Sequence, residues 1–158
     1  MKDIADELDA LARDTVVPLR RIAEEEAQKS PGLGRWSKKE ILGHLIDSAV
    51  NNLQRFVRAQ LAASLVFPDY EQESWVRVQG YRERSWDDLI QLWSSLNAHL
   101  AHVVAGLPEE CRPRLCTIGR DSPVTLEFLA RDYVRHLRHH LRQICPEPAA
   151  SAPRATSI

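Results

Sequence analysis

Two histidines four residues apart are the side chains of this sequence best suited to binding a metal. His136 and His140 lie in the segment 133–144, whose apolar spacing predicts a helix. Residues i and i+4 of a helix lie roughly 6 Å apart on nearly the same face. Two imidazoles at that spacing can bind one ion, so the pair predicts part of a metal site.

The apolar positions around this pair indicate which way it faces. They recur at steps of three and four residues: Leu129, Tyr133, Leu137, Leu141 and Ile144. His136 and His140 lie within this stripe or at its border, whereas His139 points about 100° away from His140, among arginines. We therefore expect His139 to face solvent. The alternative for the pair is structural: two half-buried histidines hydrogen-bonded to neighbouring carbonyl groups.

A third candidate ligand, His44, lies in an earlier predicted helix. Ser37 and Glu40 have the spacing of a capping box, which predicts that this helix begins shortly before His44. The polar residues of the helix follow one face beside a core stripe: His44, Asp47, Ser48, Asn51 and Arg55. Taken alone, His44 would more often be structural than a ligand. Three histidines contributed by two helices, however, are typical of open zinc, nickel or iron sites.

Asp47 is the nearest carboxylate to these histidines in the sequence. It follows His44 by three residues, which places it one turn along the same helix face. There it could orient a ligand histidine or act as a general base, so we take it as the candidate catalytic residue. The alternative is a solvated or capping carboxylate.

Other residues of metal-binding type form weaker patterns. His99 and His102 lie in a third predicted helix, one beside its apolar seam and the other facing away from it. Cys111 and Cys116 could bind a metal or form a redox pair, but neither belongs to a CxxC motif. With Cys145 the cysteines number three, and their spacing does not predict a disulfide-stapled secreted domain.

Four long periodic segments predict an all-α fold. The first helix is expected over residues 3–28, with a kink or break just before Pro18. The second is expected over residues 37–64. Ser85 and Thr125 are the expected caps of the third and fourth helices. Four helices with one long crossover favour a four-helix bundle.

The segments between and after these helices complete the prediction. The connection over residues 66–84 is expected to carry a short helix at about 72–80 and to pack over one end of the bundle. No segment has the alternating pattern of a β-strand. Residues 1–145 are predicted to form one domain, and residues 146–158 have the composition of a disordered tail.

Composition and charge limit the classes of protein to which the chain can belong. Its 158 residues suit one domain, and 44 % hydrophobic with 27 % charged residues is ordinary for a globular protein. A formal net charge of −1 provides no basic field, so we expect no nucleic-acid partner. The sequence contains neither a secretory signal pattern nor about 18 consecutive apolar residues, which predicts a cytoplasmic location without a membrane partner.

The order of these motifs resembles that of a known family, the DinB/YfiT-like superfamily, and specifically its DinB_2-type members. The resemblance covers residues 4–144 and rests on short motifs: Trp36-Ser37, Glu40, Gly43-His44-Leu45-Ile46-Asp47-Ser48, Thr125-Leu126, and His136 and His140 followed by Leu141 and Ile144. It implies a four-helix bundle that holds a divalent transition metal (zinc, nickel or iron). Carried over to this sequence, the implied ligands are His44, His136 and His140.

The resemblance also narrows the function. Characterised members include metal-dependent thiol transferases and isomerases, so we expect a metal-dependent enzyme of the thiol S-transferase kind, with a small-molecule substrate and a low-molecular-weight thiol. A hydrolase that uses metal-activated water and a non-enzymatic metal-binding stress protein are the alternatives. Trp75, Tyr81 and Tyr133 are candidate pocket residues. Because relatives commonly pair through bundle helices, and because Trp86 and Trp93 add large apolar side chains, we also expect a homodimer.

Overall fold

The computed structural model describes residues 1–145, and most of these residues are helical. The helices are α1 (Lys2–Asp14), α2 (Val16–Arg20), α3 (Glu24–Gln28), α4 (Lys38–Leu61), α5 (Gln72–Gln79), α6 (Trp86–Ala105) and α7 (Leu126–Ile144). Single turns of 3-10 helix cover Tyr81–Glu83 and Glu109–Cys111. The predicted disorder of residues 146–158 lies outside the described residues.

The helices α1, α4, α6 and α7 form the predicted four-helix bundle. Helix α1 packs against α6 and α7, and α4 packs against the same two helices, so α1 and α4 occupy opposite corners. Helices α4 and α7, which carry the candidate metal ligands, are therefore neighbours. Within the described residues, no helix is long and apolar enough to cross a membrane.

The core follows the apolar stripes of the sequence. On α6, Leu89, Trp93 and Leu100 are fully buried, as the seam of alternating four- and three-residue steps predicts. Trp86 at the start of this helix is also buried, and its indole N–H donates to the carbonyl of Leu19 at 2.9 Å. Trp86 and Trp93 thus pack within the chain, and the hydrogen bond of Trp86 fixes α2 against α6.

The predicted helix caps are present. The Glu40 N–H donates to Ser37 Oγ at 3.3 Å, and the Ser37 N–H donates to Glu40 Oε2 at 2.7 Å, which is the reciprocal capping box. The side chains of Ser85 and Thr125 accept backbone hydrogen bonds in the first turns of α6 and α7. The local sequence therefore sets where α4, α6 and α7 begin.

The first predicted helix is divided into α1, α2 and α3 rather than being continuous. The break falls at Thr15, three residues before Pro18. A proline lacks the N–H that would bond to the carbonyl four residues earlier, and its ring clashes with that carbonyl. The carbonyl concerned belongs to Asp14, the last residue of α1, so the break lies where the Pro18 ring requires it.

The expectation of no strands is wrong. Three short strands, β1 (Leu65–Phe67), β2 (Leu115–Ile118) and β3 (Val124–Thr125), form a sheet in the order β1-β2-β3. The β1–β2 pair is parallel and the β2–β3 pair is antiparallel. Strands of two to four residues are too short to show an alternating pattern in the sequence. The sheet joins the connection after α4 to the one before α7.

A buried lysine fixes the start of α4 against the crossover. The Lys39 ammonium donates to the carbonyls of Arg84 at 2.7 Å and Arg82 at 3.2 Å, and it forms an ion pair with Glu24. Its side chain is only 2 % exposed, so these three oxygens replace the water that the charge would otherwise require. Lys39 thereby ties α3 and the end of the crossover to the helix that carries His44.

Candidate metal centre

The structure brings the three predicted histidines together. His44 comes from α4, and His136 and His140 come from successive turns of α7. Their ring centroids are 4.6 to 5.0 Å apart, and one nitrogen from each ring lies within 4.8 Å of the other two. His44 is buried, whereas His136 and His140 are half-buried, so the cluster is reached from the side of α7.

The geometry and chemistry of this cluster fit a divalent transition metal. The Nε2 atoms of His44 and His136 lie 3.0 Å apart. Two nitrogens bound to one tetrahedral zinc ion, at about 2.0–2.1 Å each, would lie about 3.3 Å apart. Imidazole is a ligand for zinc, iron and nickel. Three such donors leave coordination positions open for a substrate or water.

Two of the three rings are oriented by hydrogen bonds from the nitrogen that faces away from the cluster. His136 Nδ1 lies 3.5 Å from Ser48 Oγ, and the amide of Asn52 donates to the same hydroxyl at 3.3 Å. His140 Nδ1 lies 3.1 Å from Gln143 Oε1. An Nδ1–H donated to these oxygens would leave the Nε2 lone pair for the metal.

His44 is held by packing instead. Its Nδ1 atom is buried and has no hydrogen-bond partner within residues 1–145. The Trp36 ring lies against it, with the two centroids 5.2 Å apart. The indole thus covers the His44 face of the cluster, and the ring has little room to turn.

The environment keeps all three imidazoles neutral. Burial, with smaller contributions from the neighbouring His136 and His140, lowers the pKa of His44 to about 3. Burial also lowers the pKa of His136, to about 4, and lowers that of His140. A metal ligand must be an unprotonated imidazole, so the cluster is already in the protonation state that a metal requires.

Asp47 is buried beside the cluster, but its hydrogen bonds go to the crossover rather than to a histidine. The Tyr81 hydroxyl donates to Asp47 Oδ1 at 2.6 Å, and the Gln79 amide donates to the same oxygen. The second oxygen, Oδ2, is buried without a partner in the described part of the chain. Burial raises the pKa of Asp47, against the lowering effect of its two donors.

Gly43 allows Tyr81 to reach Asp47. A Cβ atom at position 43 would lie 2.1 Å from the Tyr81 ring, so only glycine lets the ring lie this close to α4. The sequence identified Tyr81 as a candidate pocket residue, and the structure places it against Asp47. Neither this contact nor the one from Gln79 follows from helix spacing, because both cross 32 or more residues of chain.

Several other predicted residues lie elsewhere. Tyr133 is buried in the core, where its hydroxyl donates to Asn97 at 2.6 Å, and Trp75 packs on Tyr70 with centroids 4.8 Å apart. The His99 and His102 rings lie 6.4 Å apart on α6, outside the cluster.

All three cysteines are free thiols. Cys111 and Cys116 are buried, and Cys145 is half-buried. None of them joins the histidine cluster. Within residues 1–145, Cys111 and Cys116 do not form a disulfide and do not belong to a cluster of three or more possible metal ligands.

Gln143 was not among the predicted site residues. It accepts from His140, and its amide nitrogen lies 3.0 Å from Nε2 of His139, which is exposed as expected. The spacing of three residues after His140 was the available signal, since residues i and i+3 are neighbours on a helix. His139 thus lies outside the cluster, and its contact with Gln143 is exposed to solvent.

Comparison with protein families matches residues 7–144 to the DinB superfamily. The chain belongs to the DinB superfamily. The match spans α4 and α7 and so includes all three histidines of this DinB protein. No curated protein matches the chain at a significant level.

A solved structure confirms the fold of this DinB chain. YfiT from Bacillus subtilis superimposes with a TM-score of 0.78 over 90 % of this chain and 83 % of that one, at 19 % sequence identity. It is described as "a probable metal-dependent hydrolase with an unusual four-helix bundle topology". At this identity the likeness establishes the four-helix bundle.

Proposed function

We propose that this DinB protein is a metal-dependent enzyme in which His44, His136 and His140 hold a divalent zinc, nickel or iron ion. The convergence of three neutral imidazoles from two helices carries this proposal. A divalent ion with three neutral ligands supplies Lewis acidity and lowers the pKa of a thiol or a water in an open position. The substrate is a small molecule that enters beside α7.

The first candidate reaction is transfer of a low-molecular-weight thiol to an electrophilic substrate. No carboxylate joins the histidine cluster within residues 1–145, and the hydrogen bonds of Asp47 are directed at Tyr81 and Gln79. A thiol ionises at a pKa of about 8.5, so it needs far less help from a base than water does. A metal held by three imidazoles can therefore bind such a thiol as a thiolate nucleophile.

The second candidate is a hydrolase, and Asp47 is the observation that favours it. Its Oδ2 atom is free in the described structure, and burial raises its pKa toward the range of a general base. The description of YfiT as a probable metal-dependent hydrolase points the same way. In either reaction Asp47 would handle a proton, and Tyr81 and Gln79 would hold its carboxylate in place.

The distinguishing experiment uses zinc-, nickel- and iron-loaded protein and two substrate panels. One panel combines low-molecular-weight thiols with an electrophilic aromatic chloride, and the other contains esters and amides without thiol. We expect thiol-dependent turnover that His140→Ala abolishes. We also expect Asp47→Asn to retain metal and to lower kcat by about 100-fold if Asp47 transfers the proton.

The other possible results of this experiment would point to the alternative functions. Turnover of esters or amides without thiol would favour the hydrolase. Metal without any exchangeable ligand, together with no turnover in either panel, would identify a non-enzymatic metal-binding protein. His139→Ala is the matched control for His140→Ala, because it removes an exposed neighbouring imidazole outside the cluster. A homodimer and a cytoplasmic location remain part of the proposal.

A further inference from the structure

One face of α4 carries a row of buried polar atoms without partners. Four buried side-chain polar atoms lack a hydrogen bond within residues 1–145, and three of them belong to His44, Asp47 and Arg55. At 100° per residue these three positions, with Asn51, lie on one face of the helix. Buried polar groups are normally paired, so a row of unpaired ones on one face marks a surface that a polar ligand can complete.

Arg55 stands at the far end of this row. Its side chain is only 8 % exposed, yet it forms no hydrogen bond and no ion pair among the described residues. Its guanidinium carbon lies 5.4 Å from the centre of the Phe67 ring. Buried arginines are almost always paired, because the charge is costly to remove from water. The Arg55 guanidinium is thus a buried cation without a paired anion among residues 1–145.

The groups near Arg55 are polar, but none of those among residues 1–145 forms an ion pair with it. Tyr70 comes from the crossover, and the charges of both Asp47 and Arg55 act on the pKa of its hydroxyl, so Tyr70 lies near both residues. Asn51 donates to the carbonyl of Asp47 at 2.9 Å, and its side-chain oxygen has no partner in the described part of the chain. Asp69 is near enough to influence Arg55 but is exposed and not within ion-pair distance.

Helix geometry sets the separation between the two ends of the row. Arg55 lies eleven positions after His44, which is about 16 Å along the axis, or three turns. A small molecule of about 10–15 Å could span the two ends.

We propose that Arg55 binds a carboxylate of the thiol or electrophilic substrate, and that it does so at the end of the α4 face opposite the histidines. A guanidinium pairs with a carboxylate through two parallel N–H···O bonds, and a carboxylate carries the single negative charge that Arg55 lacks. Asn51 lies between the two ends on this face of α4, and Tyr70 lies near both Asp47 and Arg55. This inference rests on the proposed function, since it assigns a substrate class to the same site.

The test measures binding of matched thiols to the cobalt-substituted protein, because thiolate coordination changes its visible spectrum. The probes are mercaptohexanoate and mercaptooctanoate, each compared with the neutral mercapto alcohol of equal length. We expect the carboxylates to bind at least about 10-fold more tightly, as for a hydrogen bond to a charged group. Arg55→Gln should remove this preference while leaving the affinity for the mercapto alcohols unchanged.

Arg58→Gln is the matched control. Arg58 lies one turn further along α4 and near the same Phe67 ring, at 5.8 Å, but it is exposed and donates to Gln54. It should keep the full carboxylate preference. Arg55→Lys, which retains the charge without the planar pair of donors, should keep part of it and provides a second variant if Arg55→Gln does not fold.

The outcomes separate this inference from the proposed function. Equal binding of acids and alcohols by wild type, or an unchanged preference in Arg55→Gln, would overturn the role of Arg55. If cobalt does not bind, the metal site fails instead, and calorimetric titration of the metal-free protein with octanoate and octanol then tests Arg55 alone. A lower unfolding temperature in Arg55→Gln with the preference intact would show that Arg55 is only structural.

Discussion

At the scale of single residues, the candidate metal centre combines one ring held by packing with two rings held by hydrogen bonds. His44 lies between α4 and the Trp36 ring, whereas Ser48 and Gln143 orient His136 and His140. Each orienting residue lies about one turn from a histidine on its own helix, so it moves together with the site. The rings are therefore arranged before a metal arrives, which lowers the entropic cost of binding it.

The first residue-scale prediction concerns metal content. Replacing His44, His136 or His140 individually by alanine removes one of three ligands, so we expect each variant to lose stoichiometric metal. Ser48→Ala, which removes only the partner of His136, should lower affinity about 10- to 100-fold. Elemental analysis of purified protein and competition with a chelator measure both effects.

The matched controls are His139→Ala and His99→Ala, since both residues lie outside the cluster. They should retain wild-type metal content. Loss of metal in either control, or its retention in all three cluster variants, would contradict the assignment of ligands.

The second residue-scale prediction concerns pH. Because the pKa of His44 is about 3 and that of His136 about 4 in the fold, the unfolded chain takes up protons near pH 6.5 while the fold does not. Their contribution to stability is complete above about pH 6.5 and declines as the pH falls toward about 4. Each histidine contributes a slope of at most about 1.4 kcal/mol per pH unit.

Urea denaturation of the metal-free protein between pH 5 and pH 7 measures this slope. His44→Asn should flatten it, because the substituted side chain does not titrate. A midpoint that does not change over this range would show that the histidines are not held neutral by the fold.

At the scale of secondary structure elements, the crossover and α4 depend on each other through Gly43. The added methyl of Gly43→Ala would overlap the Tyr81 ring, whose hydroxyl holds Asp47. We expect a loss of about 1–3 kcal/mol in the free energy of unfolding, as for an overpacked core. Gly106→Ala is the control, because its nearest contact is at 3.7 Å and its φ is −83°. Urea denaturation compares the two, and equal stabilities would contradict the close packing.

The elements that the sequence predicts well are those with a long repeating pattern or a local cap. Helix α7 shows its apolar stripe and its two inward histidines over five turns, and the serine and threonine caps fix three helix starts. The strands could not be predicted in this way, because each is only two to four residues long. The pairing of β1 with β2 also joins residues about fifty positions apart, such as Leu65 and Cys116.

The same distinction applies within the site. His44, His136, His140 and Asp47 were found from helical spacing, whereas the contacts of Asp47 with the crossover required the tertiary structure.

At the scale of the whole molecule, we predict a homodimer in solution. The part of the sequence argument that rested on Trp86 and Trp93 does not hold. Trp86 and Trp93 are buried within the chain and are not available to a partner. Exposed apolar side chains remain on other surfaces, including Trp75, Val78 and Phe128. Sedimentation equilibrium should give twice the chain mass of 18.0 kDa at micromolar concentration. A monomer over the whole concentration range would contradict the dimer.

The small sheet couples the two connections that flank the site, so that they open to solvent together. β1 follows the helix of His44 and β2 precedes the helix of His136 and His140, and the two strands pair in parallel. The Gly119 N–H extends this pairing by donating to the Phe67 carbonyl at 2.9 Å. Neither connection can detach without exposing the amides of the other to water. Their exchange with deuterium should therefore proceed as one cooperative opening, slower than that of an isolated loop and shared between segments about fifty residues apart.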